Sequence, residues 1–302
     1  MPGQVFDKIA VIGLGLIGSS LCHAVRRNGL SGHIAGYARS SDTREKAIEI
    51  GFVDSVHESA GLAVEDADLV IICTPIGVYE AIARDISGSL KTGAILSDVG
   101  SVKKAVIDAF EGHVPEGVHF IPAHPIAGTE ESGPEAGFAE LFDDRWCILT
   151  PESGVDVQAV GKLTRFWEAC GSDVEVMSAE HHDLVLAITS HLPHLIAYNI
   201  VGTVTELEED TKSEVIKFSA SGFRDFTRIA ASDPTMWRDI FLNNKEAVLE
   251  VLGRFNEDLS ELQRAVRRGD GDKLHRLFSS TRDVRRGILE LGQDRKRKPT
   301  KK

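Results

Sequence analysis

The segment "IAVIGLGLIGSS" (9–20) constrains the fold more than any other part of this chain. An apolar run ends at Gly13, and Gly15 and Gly18 follow in GxGxxG spacing at the head of an amphipathic stretch. A strand that turns sharply into a helix needs these glycines. Gly13 allows the tight turn, Gly15 lets backbone approach a pyrophosphate, and Gly18 lets the helix lie close to the strand. The helix start adds positive potential and unpaired N–H groups, here those of Leu16 and Ile17. The next apolar run ends in "GYARSS" (36–41), with Ala38 where an acid would hold a ribose 2′-hydroxyl. Arg39, Ser40 and Ser41 follow and suit a 2′-phosphate, so NADP is favoured over NAD. Thr74, just after the run "DLVIIC" (68–73), completes the expected cofactor set.

The same rhythm continues. "KIAVIG" (8–13), "HIAGYA" (33–38), "DLVIIC" (68–73), "AILSD" (94–98) and "VHFIPA" (118–123) read as buried strands. Helical stretches near 17–28, 42–50, 77–87 and 101–111 separate them, which implies a parallel sheet covered by helices. "RWCILT" (145–150) and "DVEVM" (173–177) read as two more strands around a helix at 155–170. After Met177 the pattern is helical. Val248, Leu252, Phe255, Leu259, Leu262 and Val266 alternate four and three apart and form one apolar seam, which "GDGD" (269–272) ends. The expected organisation is an α/β Rossmann-type domain over 1–177 and an all-α domain over 178–293. The seam serves both its core and a homodimer.

The total charge is −12, and the tail "DRKRKPTKK" (294–302) holds six basic residues against one acid, leaving −17 for the rest. So acidic a body argues against a nucleic-acid partner, and the tail reads as a solvated, disordered end. The apolar runs look too short to span a bilayer, and no secretory leader is visible at "MPGQVFDKIAVIGLG" (1–15). Four cysteines without CxxC spacing suggest reduced thiols in a cytoplasm.

Candidate chemistry clusters where such a sheet presents its C-terminal edge. "SDVGSVKKAV" (97–106) puts Ser101 at a strand-to-helix turn, and "AHPIAGTEESG" (123–133) puts His124 just after the fifth run. "TSHLPHLIAYNI" (189–200) places His191 and His194 three apart on one helix face, with Pro193 removing a helical hydrogen bond. A metal would need a third ligand at matching spacing, and none is evident. In "SASGFRDFTRIAASDPTMW" (219–237), Arg228 suits either an ion pair with Asp225 or a bidentate grip on a substrate carboxylate. Asp233 and Pro234 read as an N-cap and first helical position.

The stretches "GLGLIGSS", "DVGSVK", "HPIAGTE", "TSHLPH" and "FRDFTRIA" occur in this order along nearly the whole chain. In this the sequence resembles the prephenate/arogenate (cyclohexadienyl) dehydrogenase family of tyrosine biosynthesis, in a form without an added regulatory or mutase domain. The resemblance implies oxidative decarboxylation of a cyclohexadienol, with hydride passing to a nicotinamide. It implies His124 as the base at the substrate 4-hydroxyl and Ser101 as the group that orients it. Arg228 would bind a substrate carboxylate, with His194, Ser190 and Thr129 lining the pocket. Glu130 would shape its electrostatics, and His191 and Trp237 would support it. The helical domain would form the dimer. Two rivals are a β-hydroxyacid-type dehydrogenase and a non-catalytic nucleotide-sensing module. The first is expected to carry a lysine on the first helix after the sheet, and none lies between Ser178 and Thr211. Prephenate and arogenate stay undivided.

Overall fold

In this computed structural model, residues 3–129, 131–206, 217 and 221–290 are described. The chain divides into two compact units, Met1–Val248 and Leu249–Lys302.

The first unit is built on strands β1 (Phe6–Ile12), β2 (Ser31–Tyr37), β3 (Ser55–His57), β4 (Leu69–Ile72), β5 (Ile95–Asp98) and β6 (His119–Phe120). All pair in parallel, in the order β3-β2-β1-β4-β5-β6. Helices α1 (Leu16–Asn28), α2 (Ser41–Ile50), α3 (Ala60–Val64), α4 (Tyr79–Ile86) and α5 (Lys103–Phe110) alternate with them. Both faces of the sheet are covered, so Ile9–Ile12 of β1 and all of β4 are continuously apolar instead of alternating with polar residues. Ile9 and Val11 enter one core with Val25, Phe166 and Trp167. Ala10 and Ile12 enter the other with Tyr79, Ile86 and Phe110. The strand order reverses between β1 and β4, which opens a crevice at their C-terminal ends.

The run 118–123 does not form one strand. β6 ends at Phe120, and the chain then enters a second sheet of β7 (Ala123–Pro125), β8 (Trp146–Leu149) and β9 (Asp173–Val176). Pro122 has no N–H to continue the first ladder. The N–H of Ala123 donates instead to Asp98 Oδ1 at 3.0 Å. β7 pairs antiparallel with β8, and β8 parallel with β9. Helix α6 (Val157–Cys170) packs behind this sheet with Phe166 and Trp167. Short β3 and α3 escaped the sequence pattern, which at three and five residues offers no full period.

A long helix follows as α7 (Ala179–Leu186), a π-helical turn (Ala187–His191) and α8 (Leu192–Thr205). The π turn absorbs Pro193, which stands in the first turn of α8 and cannot donate back. The helix Ala179–Val204 is long and apolar enough to cross a membrane by length and composition alone, with mean hydropathy 1.5. This corrects the expectation that no segment reaches that length. Its His182, Asp183 and His191 are buried and hydrogen-bonded within the protein. The unit continues through α9 (Ser221–Thr227), a 3-10 turn (Arg228–Ala231) and α10 (Pro234–Asn243). Asp233 caps α10 by accepting from the Met236 N–H at 2.7 Å.

The second unit contains most of α11 (Lys245–Arg268) and all of α12 (Gly271–Glu290). Gly269, at φ +67°, reverses the chain between them. The apolar seam is only partly covered: Val248 is buried, whereas Leu259 and Val266 are exposed. The tail 294–302 lies outside the described residues.

Candidate active site

The β1–β4 crevice is built from backbone. Gly13 sits at φ +104°, and a Cβ there would meet the Cys73 carbonyl oxygen at 2.6 Å. A Cβ on Gly18 would strike the Gly13 carbonyl oxygen at 1.9 Å. Both positions therefore require glycine for shape alone. Gly15 differs: nothing lies within 4 Å of where its Cβ would be. It is the N-cap of α1 and offers no side-chain cap, which leaves the first N–H groups of the helix for another partner. Beside them the Thr74 hydroxyl is buried without a hydrogen-bond partner among the described residues. Open backbone donors plus an orphaned hydroxyl fit a dinucleotide pyrophosphate. At the end of β2, Arg44 donates to the carbonyls of Ala38 and Arg39 at 2.7 and 3.1 Å and fixes that turn. Arg39 and Ser40 are exposed, and the Ser40 side chain leaves the N-terminus of α2 uncapped. Ser41 opens that helix, its hydroxyl on Asp42.

The second half of the site is built from side chains, and a buried ion pair places it. Lys103 and Asp98 are both fully buried, Nζ to Oδ2 at 2.6 Å. Lys103 Nζ also donates to the Ala123 carbonyl at 2.6 Å, while Asp98 accepts the Ala123 N–H. Both backbone groups of Ala123 are thereby held, which fixes the next residue, His124. That histidine is 8% exposed on β7. Its Nδ1 lies 2.8 Å from His182 Nε2 on α7. His182 Nδ1 lies 2.8 Å from Asp183 Oδ1. Asp183 also accepts the N–H groups of Lys103 and Lys104 at 2.8 and 3.0 Å, so a carboxylate from α7 caps helix α5. Burial, then the neighbouring His182, Lys103 and His191, pushes the His124 pKa well below the usual histidine value.

Asn244 extends the network. Its amide donates to the Asp183 carbonyl at 2.8 Å and lies 3.0 Å from His191 Nδ1. Burial lowers the His191 pKa to about 4. His194 donates from Nδ1 to the Ser190 carbonyl at 2.8 Å. Its ring stacks on Trp237 at 3.6 Å and 22°, and His191 meets the same indole edge-on at 6.1 Å. The Trp237 N–H is buried without a hydrogen-bond partner among the described residues.

The structure brings His124, His191, His194, Ser190 and Trp237 into one connected region. Arg228 opens the 3-10 turn, and its charge contributes to lowering the His194 pKa after burial, the larger cause. Asp225 pairs with Arg224 at 3.5 Å. Ser101 is half-buried before α5, but the hydrogen-bond partner of His124 is His182, not Ser101. Thr129 is exposed and accepts the Glu131 N–H at 3.2 Å. Glu130 lies outside the described residues. Asp98, Lys103, His182, Asp183 and Asn244 went unnoticed in the sequence. The only signal was "EHHD" (180–183) at a helix start, with two polar residues that prove fully or almost fully buried.

A parallel sheet with an open glycine loop, joined to a buried histidine at its C-terminal edge, defines a Rossmann-type dehydrogenase with a helical second part. Residues 21–176 match the nucleotide-binding domain of prephenate dehydrogenase, and residues 178–280 match its dimerization domain. The chain belongs to the prephenate dehydrogenase family. It is 42% identical to a cyclohexadienyl dehydrogenase of Zymomonas mobilis, over 93% of this chain and 96% of that one. It superposes on the prephenate dehydrogenase of Aquifex aeolicus, solved with hydroxyphenyl propionate and NAD+, with TM-score 0.87 and 34% identity, covering 93% and 98% of the two chains. The arogenate dehydrogenase of Synechocystis follows with TM-score 0.81 and 29% identity, covering 93% and 99%.

Proposed function

We propose that this protein oxidatively decarboxylates prephenate, arogenate or both, giving 4-hydroxyphenylpyruvate, tyrosine or both. The nicotinamide cofactor supplies the hydride acceptor when bound. The single observation that carries the reading is His124: a buried imidazole held neutral, one nitrogen engaged by His182 and the other without a partner among the described residues. A neutral histidine accepts the substrate 4-hydroxyl proton as the carbinol carbon loses hydride. Arg228 takes a substrate carboxylate, and its nearness in charge to His194 supports a shared pocket. His194, stacked on Trp237, and Ser190 form the wall of that pocket, which His191 supports. Thr129 lines the pocket from the loop after β7 and Ser101 from the loop after β5, and Glu130 shapes its electrostatics.

NADP is favoured over NAD. Ala38 leaves no carboxylate to repel a 2′-phosphate, and exposed Arg39, Ser40 and Ser41 surround the open start of α2. Residues 1–177 hold the nucleotide, and 178–293 hold substrate and form a homodimer. The exposed Leu259, Val266, Phe278 and Val284 support that contact. The enzyme works in the cytoplasm.

The test follows absorbance at ~340 nm with prephenate or arogenate and each cofactor. Reduction in at least one combination is expected, with a higher kcat/KM for NADP. No reduction in any combination overturns the reading and favours the nucleotide-sensing alternative.

A further inference from the structure

Two residues, His182 and Asp183, lie outside the expected set. They are nearly fully buried and lie in line behind His124. The direction of the hydrogen bonds in this line follows from the groups at its end. Asp183 accepts the Lys103 and Lys104 N–H groups, one on each carboxylate oxygen. The carboxylate is therefore an acceptor toward His182 too, and His182 donates to it from Nδ1 at 2.8 Å. A neutral His182 then has only a lone pair on Nε2. His124 donates to that lone pair from Nδ1, at 2.8 Å. The one nitrogen of His124 left without a proton is Nε2.

We infer that His182 and Asp183 form a polarised hydrogen-bond line that fixes the tautomer of His124, making Nε2 its basic nitrogen. The N-terminus of α5 anchors the line, because the two amides that orient Asp183 are the first of that helix. The catalytic use of this tautomer rests on the function proposed above. The tautomer itself does not.

The line also gives the incoming proton a destination. When Nε2 of His124 takes the substrate proton, Nδ1 can release its own to Nε2 of His182. His124 is then neutral again, with its proton on Nε2, and His182 is the cation beside Asp183. The surroundings favour that site for the charge. His124 faces Lys103, His191 and His182, all of which oppose a positive charge on it. His182 is opposed by burial and Lys103, but Asp183 and Asp98 favour its charge. His182 and Asp183 are thus positioning residues that act through His124.

The test reads imidazole ¹⁵N shifts of the full chain without substrate, and kcat and KM with it. The wild type is expected to show a protonated Nδ1 and a bare Nε2 on His124. Asp183→Ala removes the acceptor that fixes the His182 tautomer, so the His124 proton is no longer held on Nδ1. Its kcat falls toward the ~10⁴-fold scale of a wrong tautomer behind a general base, while KM changes little. His182→Gln offers His124 an oxygen acceptor and keeps the wild-type tautomer, while kcat falls with the loss of the proton's destination. It also decides the matter if Asp183→Ala fails to fold. A protonated Nε2 on wild-type His124, or a folded Asp183→Ala with the proton still fixed on Nδ1, overturns the inference. So does a His182→Gln protein that moves the proton to Nε2. Absence of turnover in the wild type overturns only the proposed reaction, since the ¹⁵N readout needs no substrate.

Discussion

The nucleotide crevice and the histidine network lie in the same unit but are made in opposite ways. The crevice is backbone: Gly13, Gly15 and Gly18 fall within six residues, and their spacing carries the geometry. The network is side chain, and its bonds cross long stretches of sequence. His124 and His182 are 58 residues apart, Lys103 and Asp183 are 80, and Asn244 and His191 are 53. A local backbone site tolerates change around it, whereas a network fails at any member.

The largest effect is expected at His124. His124→Asn removes the proton acceptor but keeps a small polar side chain. kcat should fall by ~10²–10⁴, the range for losing a general base, with cofactor affinity unchanged. Steady-state kinetics and cofactor titration check both halves. An unchanged kcat would remove His124 from the chemistry and leave the network purely structural.

Next comes the ion pair that holds Ala123. Lys103→Met leaves Asp98 buried without its cation. Breaking one partner of a buried pair costs about 3–5 kcal/mol, seen as a lower denaturant midpoint. The double variant Asp98→Leu/Lys103→Met removes both charges and should recover part of that loss. If the double variant is no more stable than the single, the penalty comes from packing and not from an uncompensated charge.

The same contrast explains what the sequence reveals. The parallel sheet was legible because both-face burial makes Ile9–Ile12 and β4 continuously apolar, and a glycine triplet marks the first turn. His124 was legible because it follows a strand at the active edge of the sheet. His182 was not: in "EHHD" it sits next to the exposed His181, and only the fold shows which of the two is buried. Asp98 and Lys103 looked like ordinary charges on a turn and a helix start. Nothing local says that both are at zero exposure. The split between β6 and β7 was hidden for a similar reason, since Asp98, a residue of another strand, takes the Ala123 amide.

The third prediction concerns pH. His191 is 1% exposed, and burial holds its pKa at about 4, below the ordinary 6.5 of the unfolded chain. Between those values the unfolded state binds the extra proton and the folded state does not. Stability from the neutral form is therefore complete above pH 6.5 and lost as pH falls toward 4, by about 3 kcal/mol in all. Thermal melts of wild type and His191→Gln across this range should show their stability difference shifting in favour of the variant as pH falls. Parallel curves would mean that His191 is not buried in its neutral form.

The smallest effect belongs to the crevice. Arg39 is exposed at the end of β2, where solvent screens its charge. Arg39→Ala should raise KM for NADP about tenfold, the scale of one charge-assisted phosphate contact, and leave NAD unaffected. The turn itself should survive, because Arg44, not Arg39, holds the carbonyls of Ala38 and Arg39. Paired kinetics with both cofactors decide the point. Selective loss for NADP puts the 2′-phosphate at Arg39. Equal loss for NAD means that the guanidinium packs on the adenosine common to both, and Ala38 then marks a pocket that does not discriminate between them.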